Sequence, residues 1–260
     1  MPDTNKAVTS GIEKIIGDFQ QHPHYYFTEE DVRWRLLREI ENAMSADETQ
    51  IRFAGGLTSA IHTEYPTPFR CSMRERRFEL LDLADTKGQR GHFDVVVLNG
   101  AAASQCGFEI LRSQYYNALC EKLRDGEVPL PLLDCAIELK LFRDLAHPNR
   151  TESARQQAEY AVQAVEKVAA TLESTQYYSK PFANQGFVLL FDNSDLVCAG
   201  DAEVGRGKFQ ERFSELAHWD SLPDTLSCVW VTPQGRENYR GHKCQSSNVS
   251  RPEVHRHFGG

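Results

Sequence analysis

Two short runs of this chain have the composition of buried strands and yet carry charge. Cys135 to Phe142, CAIELKLF, and His92 to Leu98, HFDVVVL, are rich in β-branched and apolar residues, as strands enclosed on both faces are. In a strand, residues two apart point to the same side. Ala136, Glu138, Lys140 and Phe142 therefore share one face, and Cys135, Ile137, Leu139 and Leu141 share the other, which is wholly apolar. A Glu and a Lys thus stand side by side inside a core-like strand. Asp94 likewise interrupts a run, Phe93 to Leu98, that is otherwise apolar. Burying a charge costs several kcal/mol unless it is paired or binds a metal. If the two strands are neighbours, Asp94 and Glu138 converge on one site.

Two carboxylates, completed by water and phosphate oxygens, make a hard-cation site suited to Mg²⁺ or Mn²⁺. Such an ion polarises a phosphoryl oxygen and lowers the pKa of a bound water. Lys140 is then in position to orient that water or to stabilise charge developing on the phosphate.

The rest of the pattern reads as one α/β domain with a mixed sheet. A short helical pattern surrounds Ile12, Ile15, Ile16 and Phe19. Thr28 is a good N-cap, Glu29, Glu30 and Asp31 put negative charge in a first turn, and Val32, Leu36, Leu37 and Ile40 follow at helical spacing, which predicts a helix over about 29–44. A strand is expected from Leu57 to Tyr65, ending at Pro66 and Pro68, with 70–90 a charged irregular stretch or hairpin. A helix is expected over 107–124, with Ile110, Leu111, Tyr115, Leu119 and Leu123 on one side, and a long alanine-rich helix from about Ser153 to Glu173. Strands are expected at Gly186 to Phe191 and Leu226 to Val231, with a helix at 207–217 between them. After Pro233 the chain is polar, basic and weakly patterned, and is expected to be largely loop.

An Asp in one strand and ExK in the next, after a helix bearing an acidic residue, resembles the PD-(D/E)xK nuclease superfamily. The pieces are GHFD (Gly91 to Asp94) and IELK (Ile137 to Lys140). FTEED (Phe27 to Asp31) matches the acidic first helix, with Glu30 its counterpart and Glu39 a rival, and HTEYP (His62 to Pro66) looks like the first core strand. Phe93 stands where the family's Pro precedes the Asp, and a helical insert, about 100–131, separates the two strands. The resemblance implies a restriction-endonuclease-like αβββαβ core over about 27–232, a central mixed β-sheet flanked by helices, followed by a basic C-terminal tail over 233–260. It also implies metal-dependent phosphodiester cleavage, with Asp94, Glu138 and the Leu139 carbonyl as ligands to Mg²⁺ or Mn²⁺ and Lys140 as the catalytic lysine. Gln156 and Tyr160 form a QxxxY pair on the helix after the ExK strand, as in exonuclease-like branches, where the Gln contacts a nucleotide or orders the active site.

The net charge of −8 argues against broad, non-specific nucleic-acid binding, but it is uneven. Arg236, Arg240, Lys243, Arg251 and Arg256 outnumber Glu237 and Glu253 at the end, and Arg70, Arg74, Arg76 and Arg77 form a second basic cluster, either a phosphate grip or a solvated hairpin. His242, Cys244, His255 and His257 fit no zinc-finger spacing, and His22 and His24 carry no specific signal. Seven cysteines without a CxxC pair point to a reducing compartment rather than a disulfide framework. With no signal-peptide pattern and no apolar run of membrane-span length, a soluble cytoplasmic protein is expected. Neither a GxxxxGK[ST] phosphate loop nor a GxSxG nucleophile motif occurs. DNA is the preferred partner over RNA, and a homodimer is one assembly that would cut both strands. Two other readings stand beside the nuclease: a nuclease-fold protein that no longer cleaves and acts as a nucleic-acid- or partner-binding module, and an unrelated α/β protein whose ExK is a mere ion pair.

Overall fold

A computed structural model of the chain describes residues 4–74, 77–85, 87–111, 115–143, 145, 151–196, 202–217 and 219–239. Helices α1 (Thr4–Gln21) and α2 (Glu29–Ala43) come first. α1 is longer than its short pattern suggested. Ala7, Val8, Ile12, Ile15, Ile16 and Phe19 recur at helical spacing, and all are buried. α2 starts where its cap chemistry predicts. The Asp31 N–H donates to the Thr28 hydroxyl at 3.2 Å, and the Thr28 N–H donates back to the Asp31 carboxylate at 2.8 Å, a reciprocal capping box.

Strands β1 (Gln50–Phe53) and β2 (Gly56–Ser59) form a small hairpin of their own. Next come β3 (Ile61–Arg74), β4 (Arg77–Leu81) and β5 (Gln89–Leu98). α3 (Gly100–Ala103), a 3-10 turn at Phe108–Ile110 and α4 (Tyr116–Arg124) lead to β6 (Leu133–Phe142). Then follow α5 (Thr151–Leu172), β7 (Ala183–Asp192), α6 (Ala202–Leu216), β8 (Leu226–Thr232) and β9 (Gly235–Tyr239). The central sheet has seven strands in the order β4–β3–β5–β6–β7–β8–β9. β6, β7 and β8 run parallel to one another, and the other pairings are antiparallel. The fold is thus α/β, a mixed central sheet flanked by helices.

Helices cover both faces of this sheet. Phe191 of β7, paired with Leu141, packs its ring 4.9 Å from that of Phe19 in α1. Gly186, five residues earlier and so on the opposite face, lies under α5. A Cβ at Gly186 would come within 2.3 Å of Val168, so only glycine lets this helix sit so close. Phe142, on the same face as Glu138, meets Phe209 of α6 at 4.9 Å. The face of β6 that bears Glu138 and Lys140 therefore looks toward α5 and α6.

Three expectations are corrected. The first core strand does not stop at the prolines: β3 runs on to Arg74, with a register shift between Pro66 and Arg70. β4 pairs with β3 only from Arg70 onward, so the missing proline N–H groups fall where no neighbour on that side needs them. The 107–124 helix is broken into the Phe108–Ile110 turn and α4, and Leu111 and Tyr115 are exposed rather than on its buried side. The polar segment after Pro233 forms an edge strand, β9, because an edge requires backbone pairing rather than an apolar side-chain pattern. Tyr239 anchors it, stacked 5.1 Å from Trp219. The remainder of the basic tail, including His242, Cys244, His255 and His257, lies outside the described residues. Among the described residues no helix is long and apolar enough to cross a membrane. Cys71, Cys106, Cys120, Cys135 and Cys228 are free thiols.

Candidate functional site

The β5–β6 register brings the two charged positions together. The antiparallel ladder ends at the pair Val95–Ile137, so Asp94 and Glu138 are the next residues beyond it on the two strands, close enough for the Asp94 charge to act on Glu138. The Leu139 N–H donates to Asp94 Oδ2 at 2.7 Å, locking the carboxylate across the strands. Both acids are deep: Asp94 is 9% and Glu138 3% exposed. On the other side of β5, the ladder pairs Thr63 with Val95 and Tyr65 with Phe93, which puts Glu64 opposite Asp94. Glu64 has φ 50, a left-handed backbone that a residue with a side chain adopts at a cost. Three acidic residues on three adjacent strands thus form a row.

Cations from two helices meet this row. Arg33 of α2 lies 2.8 Å from Asp94, 2.6 Å from Glu64 and 2.9 Å from Glu30. Burial works to lower the Arg33 pKa, but Asp94, Glu64 and Glu30 outweigh it and hold it above the usual arginine value. Lys167 of α5 lies 2.5 Å from Glu138 Oε1 and donates to the His92 carbonyl at 2.8 Å. That carboxylate oxygen is buried and has no well-directed hydrogen bond, so it is ion-paired but under-coordinated. Lys140 Nζ donates to its neighbour's Leu139 carbonyl at 2.7 Å and reaches Glu29 at 3.3 Å. Burial lowers its pKa too, and Glu29, Glu138 and Asp94 together more than offset that. For Glu138 the balance goes the other way. Burial pushes its carboxyl up to about 7, Lys167 only partly counteracts this, and Asp94 adds to the rise.

The expected residues separate as follows. Asp94, Glu138 and Lys140 come together. Glu30 is half exposed and reaches the row only through Arg33, while its neighbour Glu29 is the α2 acid that touches Lys140 and lines the cleft. Glu39 pairs instead with Lys14 at 3.5 Å. Gln156 does not line the cleft over Glu138 but donates to the Tyr160 hydroxyl at 3.1 Å, and Tyr160 does line it. Arg70 spends its guanidinium on the Leu83 and Gly88 carbonyls and so staples a hairpin. Arg76 and the side chains of Arg74 and Arg77 lie outside the described residues. Arg236 pairs with Glu13 of α1. Arg33 and Lys167 escaped sequence reasoning, because a single cation on an amphipathic helix looks like any solvated one. In hindsight Tyr160, Gln163, Ala164 and Lys167 repeat at helical spacing, which gives α5 one cleft-facing stripe.

The donors present fit a hard divalent cation. Among the described residues no three His, Cys, Asp or Glu form a ready-made cluster. The set is instead two buried carboxylates and the Leu139 carbonyl, all oxygen, with Glu138 Oε1 short of partners. Asp94, Glu138, Glu64, Glu29 and Glu30 outnumber Arg33, Lys140 and Lys167 by two charges when all are ionised, the charge of one such ion. Each expected donor is meanwhile held by a group of the chain: Asp94 by Arg33, Glu138 by Lys167, and Leu139 O by Lys140. Compared with known proteins, the chain matches no family model, no curated protein and no solved structure.

Proposed function

We propose that the chain is a metal-dependent nuclease that hydrolyses phosphodiester bonds, with DNA its preferred substrate. One observation carries the reading: two acids buried in otherwise apolar strands come together, next to a lysine on the same face. The order α2, β3, β5, β6, α5, β7, with β7 parallel to β6, supports a restriction-endonuclease-like arrangement. Asp94, Glu138 and the Leu139 carbonyl would hold Mg²⁺ or Mn²⁺, which supplies a Lewis acid and an activated water when bound. Lys140, tethered among the described residues to Leu139 O and Glu29, can turn and donate to a phosphate oxygen or to the attacking water. Arg33 holds Asp94 in place from the α2 side. Incubating the protein with linear, circular and single-stranded DNA and Mg²⁺ or Mn²⁺ tests this. Cleavage that disappears in Asp94→Ala and Lys140→Ala supports the reading, and variants as active as wild type overturn it.

A second reading is favoured by the cations themselves. Arg33, Lys167 and Lys140 already engage the three donors, which leaves each expected ligand with a partner from the chain itself, as in a nuclease fold that binds but does not cleave. That reading predicts no stabilisation by Mn²⁺.

A further inference from the structure

Lys167 is held in a way that lets it release Glu138. It stands on α5, its side chain is 16% exposed, and it lines the cleft together with Glu138 and Lys140. Its ammonium lies 2.5 Å from Glu138 Oε1, within the range that a divalent ion such as Ca²⁺ keeps from a carboxylate oxygen, about 2.3–2.6 Å. That oxygen takes no well-directed hydrogen bond, so the ammonium acts on it as a point charge. The hydrogen bond of Lys167 goes instead to the His92 carbonyl, at 2.8 Å. The Phe93 ring centroid is 5.8 Å from the ammonium, close enough for a cation–π contact. Two of its three holds among the described residues therefore do not involve Glu138.

Lys167 thus occupies the place on Glu138 where the proposed ion would bind. A divalent ion and an ammonium cannot share one buried oxygen, because like charges so close repel strongly. The ammonium has to leave before the ion enters. The pair opens on the cleft rather than being sealed in the core, so the released ammonium has space to turn into. Its stem is a flexible four-carbon chain, and its anchor at the His92 carbonyl can serve as a pivot. A compact ammonium facing the cleft suits a phosphate oxygen.

We infer that Lys167 is a second active-site lysine with two stations. It holds the Glu138 carboxylate while the divalent ion is absent, and it moves to a phosphate oxygen of the substrate when the ion takes that carboxylate. The inference rests on the nuclease reading for the ion and the substrate, but binding tests it. Titration calorimetry at pH 8 follows Mn²⁺ into wild type, Lys167→Met, which keeps the stem and drops the charge, and Lys167→Arg, which keeps a charge. Fluorescence anisotropy with Ca²⁺ present follows a labelled DNA duplex and a labelled single strand. Lys167→Met should bind Mn²⁺ about ten-fold tighter than wild type, since no cation has to be displaced, and should bind DNA about ten-fold more weakly. Lys167→Arg should stay within about three-fold of wild type in both. A lysine that only supported the fold would, on removal, weaken both kinds of binding together. Mn²⁺ binding to Lys167→Met no tighter than to wild type, or DNA binding that it leaves unchanged, overturns the inference. Opposite shifts in Mn²⁺ and DNA affinity without any cleavage by wild type sustain the inference while defeating the nuclease reading. Cleavage by wild type with no tightening of Mn²⁺ in Lys167→Met does the reverse, and no Mn²⁺ binding to any of the three proteins overturns both.

Discussion

Replacing Glu138 with Gln should make the metal-free protein more stable, and only at neutral to alkaline pH. Burial raises the folded-state pKa of this carboxyl from 4.5 to about 7, a gap worth about 3 kcal/mol for a group that is 3% exposed. The folded chain holds the proton more tightly than the unfolded chain does. The contribution of Glu138 to stability is therefore greatest below pH 4.5, falls as the pH rises through 7, and stays at its low value above that. Glutamine has the shape of the protonated acid and does not titrate. At pH 5 the two proteins should agree within about 1 kcal/mol, and at pH 8 Glu138→Gln should be more stable by about 3 kcal/mol, or roughly 6–12 °C in Tm. Urea denaturation in the presence of a chelator at both pH values measures the difference, and titrations elsewhere in the chain cancel in it. A gap that does not change with pH, or a Gln variant less stable at pH 8, would refute the claim that the chain keeps Glu138 buried at a cost.

Lys140→Ala should reduce cleavage about 100-fold while leaving the stabilisation by Mn²⁺ intact, because its ammonium serves the reaction and not the ion; paired activity and melting assays check this. Gly186→Ala should destabilise the fold by about 1–3 kcal/mol, since the new methyl drives into Val168 and Leu172, and the displacement of α5 should lower activity as well; urea denaturation and the DNA assay read the two effects. Thr28→Ala removes one side of the α2 capping box and should cost about 1 kcal/mol, measurable by denaturation at pH 7.

Much of this fold could be read from patterns that depend only on neighbours along the chain. The alternation in CAIELKLF put Glu138 and Lys140 on one face, the apolar run after Phe93 marked Asp94 as out of place, and Thr28 announced the start of α2. What remained hidden depends on contacts across the fold. Arg33 and Lys167 each sit on amphipathic helices with nothing in sequence to tell a partner in the site from a solvated charge. β9 was hidden because the segment GRENY is polar, and β3 because two prolines fall where its neighbour on one side is absent. Glu29 rather than Glu30 touches Lys140, a distinction of about 100° around a helix that no count of acidic residues in a first turn can make. Gln156 was noticed beside Tyr160, but only the helix rotation reveals that the tyrosine lines the cleft and the glutamine braces it.

The central claim, that Asp94 and Glu138 together hold a divalent ion, is tested most directly by isothermal titration of Mn²⁺ into wild type and Glu138→Gln at pH 8. Binding to a single site in wild type, with protons released as the pH is lowered toward 7 and no binding in the variant, is the predicted result. No binding to wild type, or equal binding to both proteins, would contradict it.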